Sequence, residues 1–419
     1  MEADKAYLEA IQHGRYSEQV KGLRCKYDHV RIQFEDFITA FYLRPHLEKL
    51  VEEKANEKAN GNGEGLRFYD LGCGTGDGYD LLSKMAGTTK LSEFDNRLIE
   101  QEMVEQYKGI DLNVALLKEA RNLFGDYDHV DFCKGNFSEG LPLEEGEQPY
   151  DLYFTSYGTL SHCNDDELEK LFVDIGRHAH NGSIILCDFI GRYSYEWQDI
   201  WTHEPEEQPY IDYLINYLYT EEDRDNVEIS SFPLRLMSPP EVEKVLNSAA
   251  SKAGVELKVE RFFDRSLFVG RHIETGTYNG NPQPLRLMVS SLFERGLRTY
   301  FPDLKVSYRP RRTFNWQNDA LQTLADSWNA LVDYTMVLME NYDSNEELLP
   351  YPPPTDVEPL EKAYRVMRQT LEGSKGLYGD IRADLIEAQL GYALRSLEMN
   401  LQHGKGLGHG LVGIVKVVK

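Results

Sequence analysis

The stretch that most constrains this chain runs from Leu66 to Met85. Leu66-Arg67-Phe68-Tyr69-Asp70-Leu71 has strand character and carries an acid at Asp70. Glycines follow at alternate positions, 72, 74, 76 and 78, and the pattern then turns helical through Tyr79, Leu81, Leu82 and Met85. A strand that ends in glycines and feeds a helix brings backbone N–H groups close to a ligand, because glycine has no Cβ to hold the ligand away.

Two ligands fit such a turn. A dinucleotide site wants G-x-G-x-x-G and an acid roughly 20 positions on for the ribose. Here the third glycine comes one residue early, an acid precedes the first glycine by two positions, and the next strand-end acid is Asp111. At Asp70, Gly72, Gly74 and Gly76 the sequence resembles the class I S-adenosylmethionine-dependent methyltransferases, whose first motif reads D/E-x-G-x-G-x-G. The resemblance implies a doubly wound α/β sheet of seven mostly parallel strands with an antiparallel last strand, and S-adenosyl-L-methionine as cofactor.

The rest of the chain supports an alternating pattern. A helical pattern from Tyr27 to Glu53, broken or kinked at Pro45, leads to a polar linker at 55–65. Strands are expected at 106–112, 130–133, 150–155 and 182–188, with helices at 113–124 and 165–178 between them. Val114, Leu117 and Ala120 are expected to face inward, and an inserted helix is expected within 88–106. Residues 192–237 break the rhythm and are rich in aromatic and acidic residues. Ser238-Pro239-Pro240-Glu241 then reads as a helix start, and strands near 255–263 and 266–272 are expected to pair as the closing hairpin of the sheet. We therefore divide the chain into a helical cap (1–60), a cofactor domain (61–276, with an aromatic insertion or lid at 192–237) and a mainly helical segment (277–419). In that last segment Leu321, Leu324, Trp328, Leu331 and Leu338 share a helix face, and residues 411–418 have strand composition. A homodimer through these helices is one expectation.

Composition bounds the partners. Net charge is -25 over 419 residues, which repels phosphate backbones and argues against nucleic acid as substrate. Five cysteines with no C-x-x-C pair argue against a disulfide framework or a zinc site, and no metal is expected. No stretch is long and apolar enough to span a membrane, and the expectation is a cytoplasmic protein with a small-molecule substrate.

The resemblance assigns roles residue by residue. Gly72, Gly74 and Gly76 would lie against the methionyl part and ribose, and Asp70 would bind the ammonium directly or indirectly. Asp111, with Leu112 beside it, would accept the ribose hydroxyls. Asn136 and Phe137 would meet the adenine, and Ser156 and Tyr157 would lie near the sulfonium. The helical segment before the first motif often covers the cofactor in this family, which makes Tyr27, His29 and Arg31 candidate contacts. The chain has no N-P-P-Y or D-P-P-Y run, which counts against an amide or nucleobase nitrogen as acceptor. For a hydroxyl acceptor a base must remove a proton, and His162, His203 and Asp188 are the candidates. Tyr193, Trp197 and Trp201 are candidate walls of the acceptor pocket. The first choice is an O-methyltransferase. N- or C-methylation, an NAD-dependent oxidoreductase and a non-catalytic cofactor-binding scaffold are the rivals.

Overall fold

The computed structural model describes all but residue 1 and residues 14–27, 61–62, 88–95, 204–206, 216–218, 220–225, 227–228, 272, 274–283 and 345–348. Its centre is a nine-stranded sheet. The strands are β1 (Leu66–Leu71), β2 (Val104–Asp111), β3 (Val130–Lys134), β4 (Leu152–Phe154), β5 (Ile184–Gly191), β6 (Tyr210–Leu214), β7 (Ser231–Met237), β8 (Glu256–Arg265) and β9 (Gly410–Val418). The helices are α1 (Glu2–Gln12), α2 (Phe37–Ala59), α3 (Asp77–Ser83), α4 (Val114–Phe124), α5 (Asp165–His178), α6 (Pro239–Ala253), α7 (Leu285–Ser291), α8 (Asn315–Asp343), α9 (Glu358–Ser374) and α10 (Glu387–Leu401).

Strands β3-β2-β1-β4-β5 are neighbours in that order and all parallel. β9 continues the sheet antiparallel to β5, from Ile184↔Lys416 to Ile190↔Gly410. β8 then pairs antiparallel with β9, from Glu256↔Val418 to Arg265↔Gly410. The order β3-β2-β1-β4-β5-β9-β8, with only β9 reversed, is that of the seven-stranded Rossmann-like methyltransferase sheet. The expected fold class is therefore the observed one. A further antiparallel pair, β6 and β7, branches from the carboxyl end of β5 through Ile190↔Leu236 and Gly191↔Met237.

The expected closing hairpin is corrected. Residues 266–271 form no strand, and the partner of β8 is supplied by the chain's last stretch. The reason lies in composition. β9 is buried on both faces, with Leu411, Val412, Ile414, Val415 and Val417 all buried, as a near-continuous apolar run in a sheet interior should be. Segment 266–272 contains Ser266, Gly270 and Arg271 and cannot fill that slot. The sheet is thus not complete at residue 276, because the helical segment returns its last strand between β5 and β8.

Smaller expectations divide similarly. Asn113 caps α4, accepting from the N–H groups of Ala115 and Leu116, and α5 and α6 start with capping boxes. Pro45 lies inside α2 without ending it, and α2 runs on through the expected linker to Ala59. Burial of Leu43, Leu47 and Leu50 along that helix outweighs the lost hydrogen bond. Val114 is exposed rather than inward, while Leu117 and Ala120 are buried. Of the expected inserted helix, residues 88–95 lie outside the described residues, and the remainder holds a single 3₁₀ turn at Gln101–Met103. Among the described residues no helix is long and apolar enough to cross a membrane. The α8 face of Leu321, Leu324, Trp328, Leu331 and Leu338 is buried within the chain, packed with residues of α9 and α10.

Candidate functional site

The glycine turn after β1 is tied to the end of β2. The N–H groups of Gly72 and Cys73 both donate to the Ile110 carbonyl, at 2.8 and 2.9 Å. Gly72, Gly74 and Gly76 all take left-handed backbone, at φ 74, 54 and 87°. At Gly72 the need for glycine is also steric, since a Cβ would fall 2.5 Å from Thr159 Cγ2. At Gly74 a Cβ would meet nothing within 4 Å, because this residue borders open space. Asp111 closes the other side. Its Oδ2 accepts from the Gly74 N–H at 3.0 Å and its Oδ1 from the Asn113 N–H at 2.7 Å. Those bonds fix the carboxylate against the turn and the start of α4.

These groups border a cavity of about 570 Å³, within the ~300–1,000 Å³ of small-molecule sites. Its floor is Gly72 to Thr75 with Asp77. Along one side run Asp111 to Asn113, then Asn136 to Ser138. The loop after β4 contributes Ser156, Tyr157 and Thr159. Beyond it lie His162, Cys163 and Glu167, and Leu116, Tyr7, Phe232, Pro233 and Arg271 also line the wall. The structure thus brings nine expected site residues to one cavity: Gly72, Gly74, Asp111, Leu112, Asn136, Phe137, Ser156, Tyr157 and His162.

Other expected residues lie elsewhere. Asp70 does not border the cavity. It is wholly buried under the turn, where the Tyr107 hydroxyl donates to its Oδ2, and burial pushes its carboxyl up to about 8. Gly76 begins α3 and packs toward Phe124 rather than toward the cavity. Asp188 is buried behind the loop after β4. Its oxygens accept from the N–H groups of Tyr157 (2.7 Å) and Gly158 (3.0 Å), and Arg265 pairs with it at 2.8 Å. It holds the loop in place, off the cavity. Tyr157 needs that support, because it takes left-handed backbone (φ 55°) without being glycine.

The aromatic insertion is also corrected in detail. His203 stacks on Phe314 at 4.0 Å and bonds the Thr313 carbonyl at 2.9 Å, well away from the cavity lining. Trp197 donates to the Gly191 carbonyl (2.8 Å) and Trp201 to the Ser194 carbonyl (2.9 Å). Tyr193 packs edge-on to Trp201 and Trp316. All three belong to the core shared with the C-terminal helices. Among the described residues, the insertion's contribution to the cavity is Phe232-Pro233, on the β7 side of its hairpin.

Tyr27 lies outside the described residues. His29 faces Phe293 and Glu294 and is not part of the cavity wall. Arg31 is fully buried beside it, within ion-pair distance of Asp36 (3.3 Å) and Asp77 (3.5 Å). Asn136 borders the cavity but caps the turn at 137–139, accepting from Ser138 and donating to Glu139. Its position next to Phe137 therefore matters more than its amide. Residues not expected from sequence include Tyr7, Asp77, Thr159, Phe232 and Arg271. Asp77 was legible as the acid after the third glycine; the others come together only through the fold.

His162 is the expected base that does reach the cavity. Its ring stacks on Phe232 at 5.3 Å and lies 6.4 Å from that of Tyr7, which fixes the imidazole between α1 and the β6–β7 hairpin. Among the described residues no group of three or more His, Cys, Asp or Glu side chains is placed to hold a metal ion.

No family model matches the chain, and no curated protein matches it. Solved structures do. An S-adenosylmethionine-dependent methyltransferase from Clostridium acetobutylicum aligns at 18% identity over 53% of this chain and 83% of its own, with a TM-score of 0.32. One from Mesorhizobium loti aligns at 15% identity over 47% of this chain and 76% of its own, with a TM-score of 0.29. The glycopeptide N-methyltransferase MtfA in complex with S-adenosyl-L-methionine aligns at 15% identity over 51% and 79%, with a TM-score of 0.33. Each likeness spans about half of this chain. The fold assignment rests on the strand order and register given above.

Proposed function

We propose that the cavity binds S-adenosyl-L-methionine and that the protein is an enzyme transferring the methyl group to a small molecule, with a hydroxyl oxygen as acceptor. One observation carries the reading: the left-handed glycine turn at 72–74 and the fixed Asp111 carboxylate face the same cavity. The open space at Gly74 and the fixed Asp111 carboxylate beside it fit an adenosine-bearing ligand. Asp111 stands where a carboxylate can accept the two ribose hydroxyls. Leu112, 41% exposed, and Phe137 offer apolar surface for a base. Three carboxylates on the wall, Asp77, Asp111 and Glu167, favour a ligand with a positive centre.

The bound cofactor supplies a methyl group activated by a positively charged sulfur. The chain's own task is then to align the acceptor, exclude water and take its proton. Ser156 and Tyr157 border the place beyond the glycine turn where an acceptor would enter. His162, held by Phe232 and Tyr7, is the histidine of the wall and the group we assign as the base. Tyr7 and Phe232 provide the apolar surface that sheds water.

The test is transfer of a labelled methyl group from S-adenosylmethionine to small molecules of a cell extract. Labelled product is expected with the wild type. With His162→Ala, turnover is expected to fall roughly 10²–10⁴-fold while cofactor affinity stays the same. Undiminished turnover in that variant would remove His162 as the base. Cofactor binding without any labelled product would favour a scaffold over an enzyme.

A further inference from the structure

The connection from α8 to α9 ends in Leu349-Pro350-Tyr351-Pro352-Pro353-Pro354-Thr355, a run that lies outside the cavity and forms no helix or strand. Its prolines leave it little choice of conformation. Each ring fixes its own φ at about −65°, and each proline holds the residue before it in extended backbone. Together these restraints set the run in a polyproline II helix, with about three residues per turn. Burial follows that period. Leu349 is buried, and Pro352 and Thr355, one and two turns on, are half-buried. Tyr351 and Pro354, also one turn apart, are exposed, and so is Pro353.

The inner edge is anchored. Leu349 belongs to the core of the C-terminal helices. The Tyr334 hydroxyl of α8 donates to the Pro350 carbonyl at 2.9 Å, and the Thr355 hydroxyl accepts from the Val357 N–H at 3.1 Å. The outer edge is arranged too. The Arg368 guanidinium of α9 lies 4.2 Å from the centre of the Tyr351 ring and is itself paired with Glu372 at 2.9 Å. That contact orients the phenol ring and still leaves Tyr351 80% exposed. A solvent-facing connection ordinarily shows serine, asparagine or aspartate to water. This one shows a tyrosine and two prolines on a backbone that is already ordered, so little conformational entropy is left to lose on binding.

We infer that residues 350–354 are a docking site for a protein module that reads polyproline II helices through an aromatic-lined groove. Tyr351 and Pro354 fill neighbouring slots of that groove about 9 Å apart, one turn of the helix. Asp356 stands exposed beside the run on a chain of net charge -25, which fits a groove with a basic rim. The inference is independent of what the cavity binds.

Calorimetry of the full chain against a panel of isolated SH3 and WW domains, which carry such grooves, tests it. At least one domain is expected to bind saturably at micromolar concentration. Tyr351→Ala and Pro354→Ala are each expected to weaken that binding roughly 10-fold or more. Tyr378→Ala removes a fully exposed tyrosine from the connection between α9 and α10 and is expected to leave it unchanged. Binding by no domain of the panel overturns the docking site. So does binding that survives both loop variants, or that Tyr378→Ala weakens as much. Where a loop variant lowers the thermal unfolding midpoint, competition decides. A synthetic peptide of residues 350–356 is expected to displace the wild-type chain from the domain, and a peptide that does not compete overturns the inference.

Discussion

The chain carries two runs of four alternating glycines, 72–78 and 404–410, and the fold puts them in opposite surroundings. Both include left-handed residues, Gly72, Gly74 and Gly76 in the first and Gly404 and Gly406 in the second. An aspartate accepts backbone N–H groups from each. In the first run Asp111 takes one turn N–H, from Gly74, and faces a cavity. In the second Asp264 takes three, from Lys405 (3.0 Å), Gly406 (2.7 Å) and Leu407 (3.0 Å), and is fully buried. The second run has other backbone where the first has a cavity. A Cβ on Gly406 would lie 3.1 Å from the Met237 carbonyl, and the Gly406 carbonyl accepts from the Tyr193 N–H. Glycine spacing alone therefore does not announce a ligand. What separates the two is direction. The first run leaves a strand and enters a helix, so its turn opens on the cavity at the carboxyl ends of the parallel strands. The second leaves a helix and enters a strand at the heart of the sheet.

Four changes would break or sharpen this contrast. The largest effect is expected from deleting residues 403–419. That removes the strand between β5 and β8, and the product should show no cooperative thermal unfolding by circular dichroism. A folded truncation would mean that the sheet closes without β9. Asp264→Ala leaves three buried N–H groups without an acceptor. Urea unfolding should show a loss of about 3 kcal/mol or more, with cofactor affinity of the folded fraction unchanged; a loss below about 1 kcal/mol would show that water replaces the carboxylate.

Asp111→Ala should behave in the reverse way. S-adenosylmethionine affinity should fall roughly 10- to 100-fold, while stability changes less than in Asp264→Ala, because the freed N–H groups face the cavity. Unchanged affinity would overturn the ribose assignment.

The smallest effect is a pH dependence in residues 266–271, where Glu398 accepts from the N–H groups of Phe268 and Val269. Burial raises the Glu398 carboxyl to about 7. A raised carboxyl favours the protonated native state, so its contribution is full below the unfolded value near 4.5 and is lost as pH rises through about 7. Stability should therefore fall between pH 5 and pH 8, and Glu398→Gln should flatten that slope. An unchanged slope would place its origin elsewhere, with Asp70, raised to about 8, the next group to test.

The same contrast shows how much was legible in the sequence. The parallel half of the sheet follows from local signals, with apolar runs ending in Gly72, Asp111 and Asn136, and capped helices between them. The antiparallel closure was not legible, because the residues that follow β8 in sequence, 266–271, look extended while the true partner lies about 145 positions beyond it. Site residues divide in the same way. Those next to a strand end, such as Asp111, Phe137 and Tyr157, border the cavity. Asp188 also stands near a strand end, yet β5 runs on to Gly191 and buries it. Trp197 and Trp201 were expected at the acceptor because they are aromatic and near the sheet. Their indole N–H groups instead satisfy carbonyls of the same loop, and the helices of 285–401 cover them. Arg271 and Tyr7 carry no local motif and reach the cavity only through tertiary placement.

The central question is what the first glycine run binds. Isothermal titration of the full chain with S-adenosylmethionine and, separately, with NAD tests it directly. The glycine turn with Asp111 predicts saturable binding of one S-adenosylmethionine per chain and no heat with NAD. Binding of NAD with no binding of S-adenosylmethionine would contradict it.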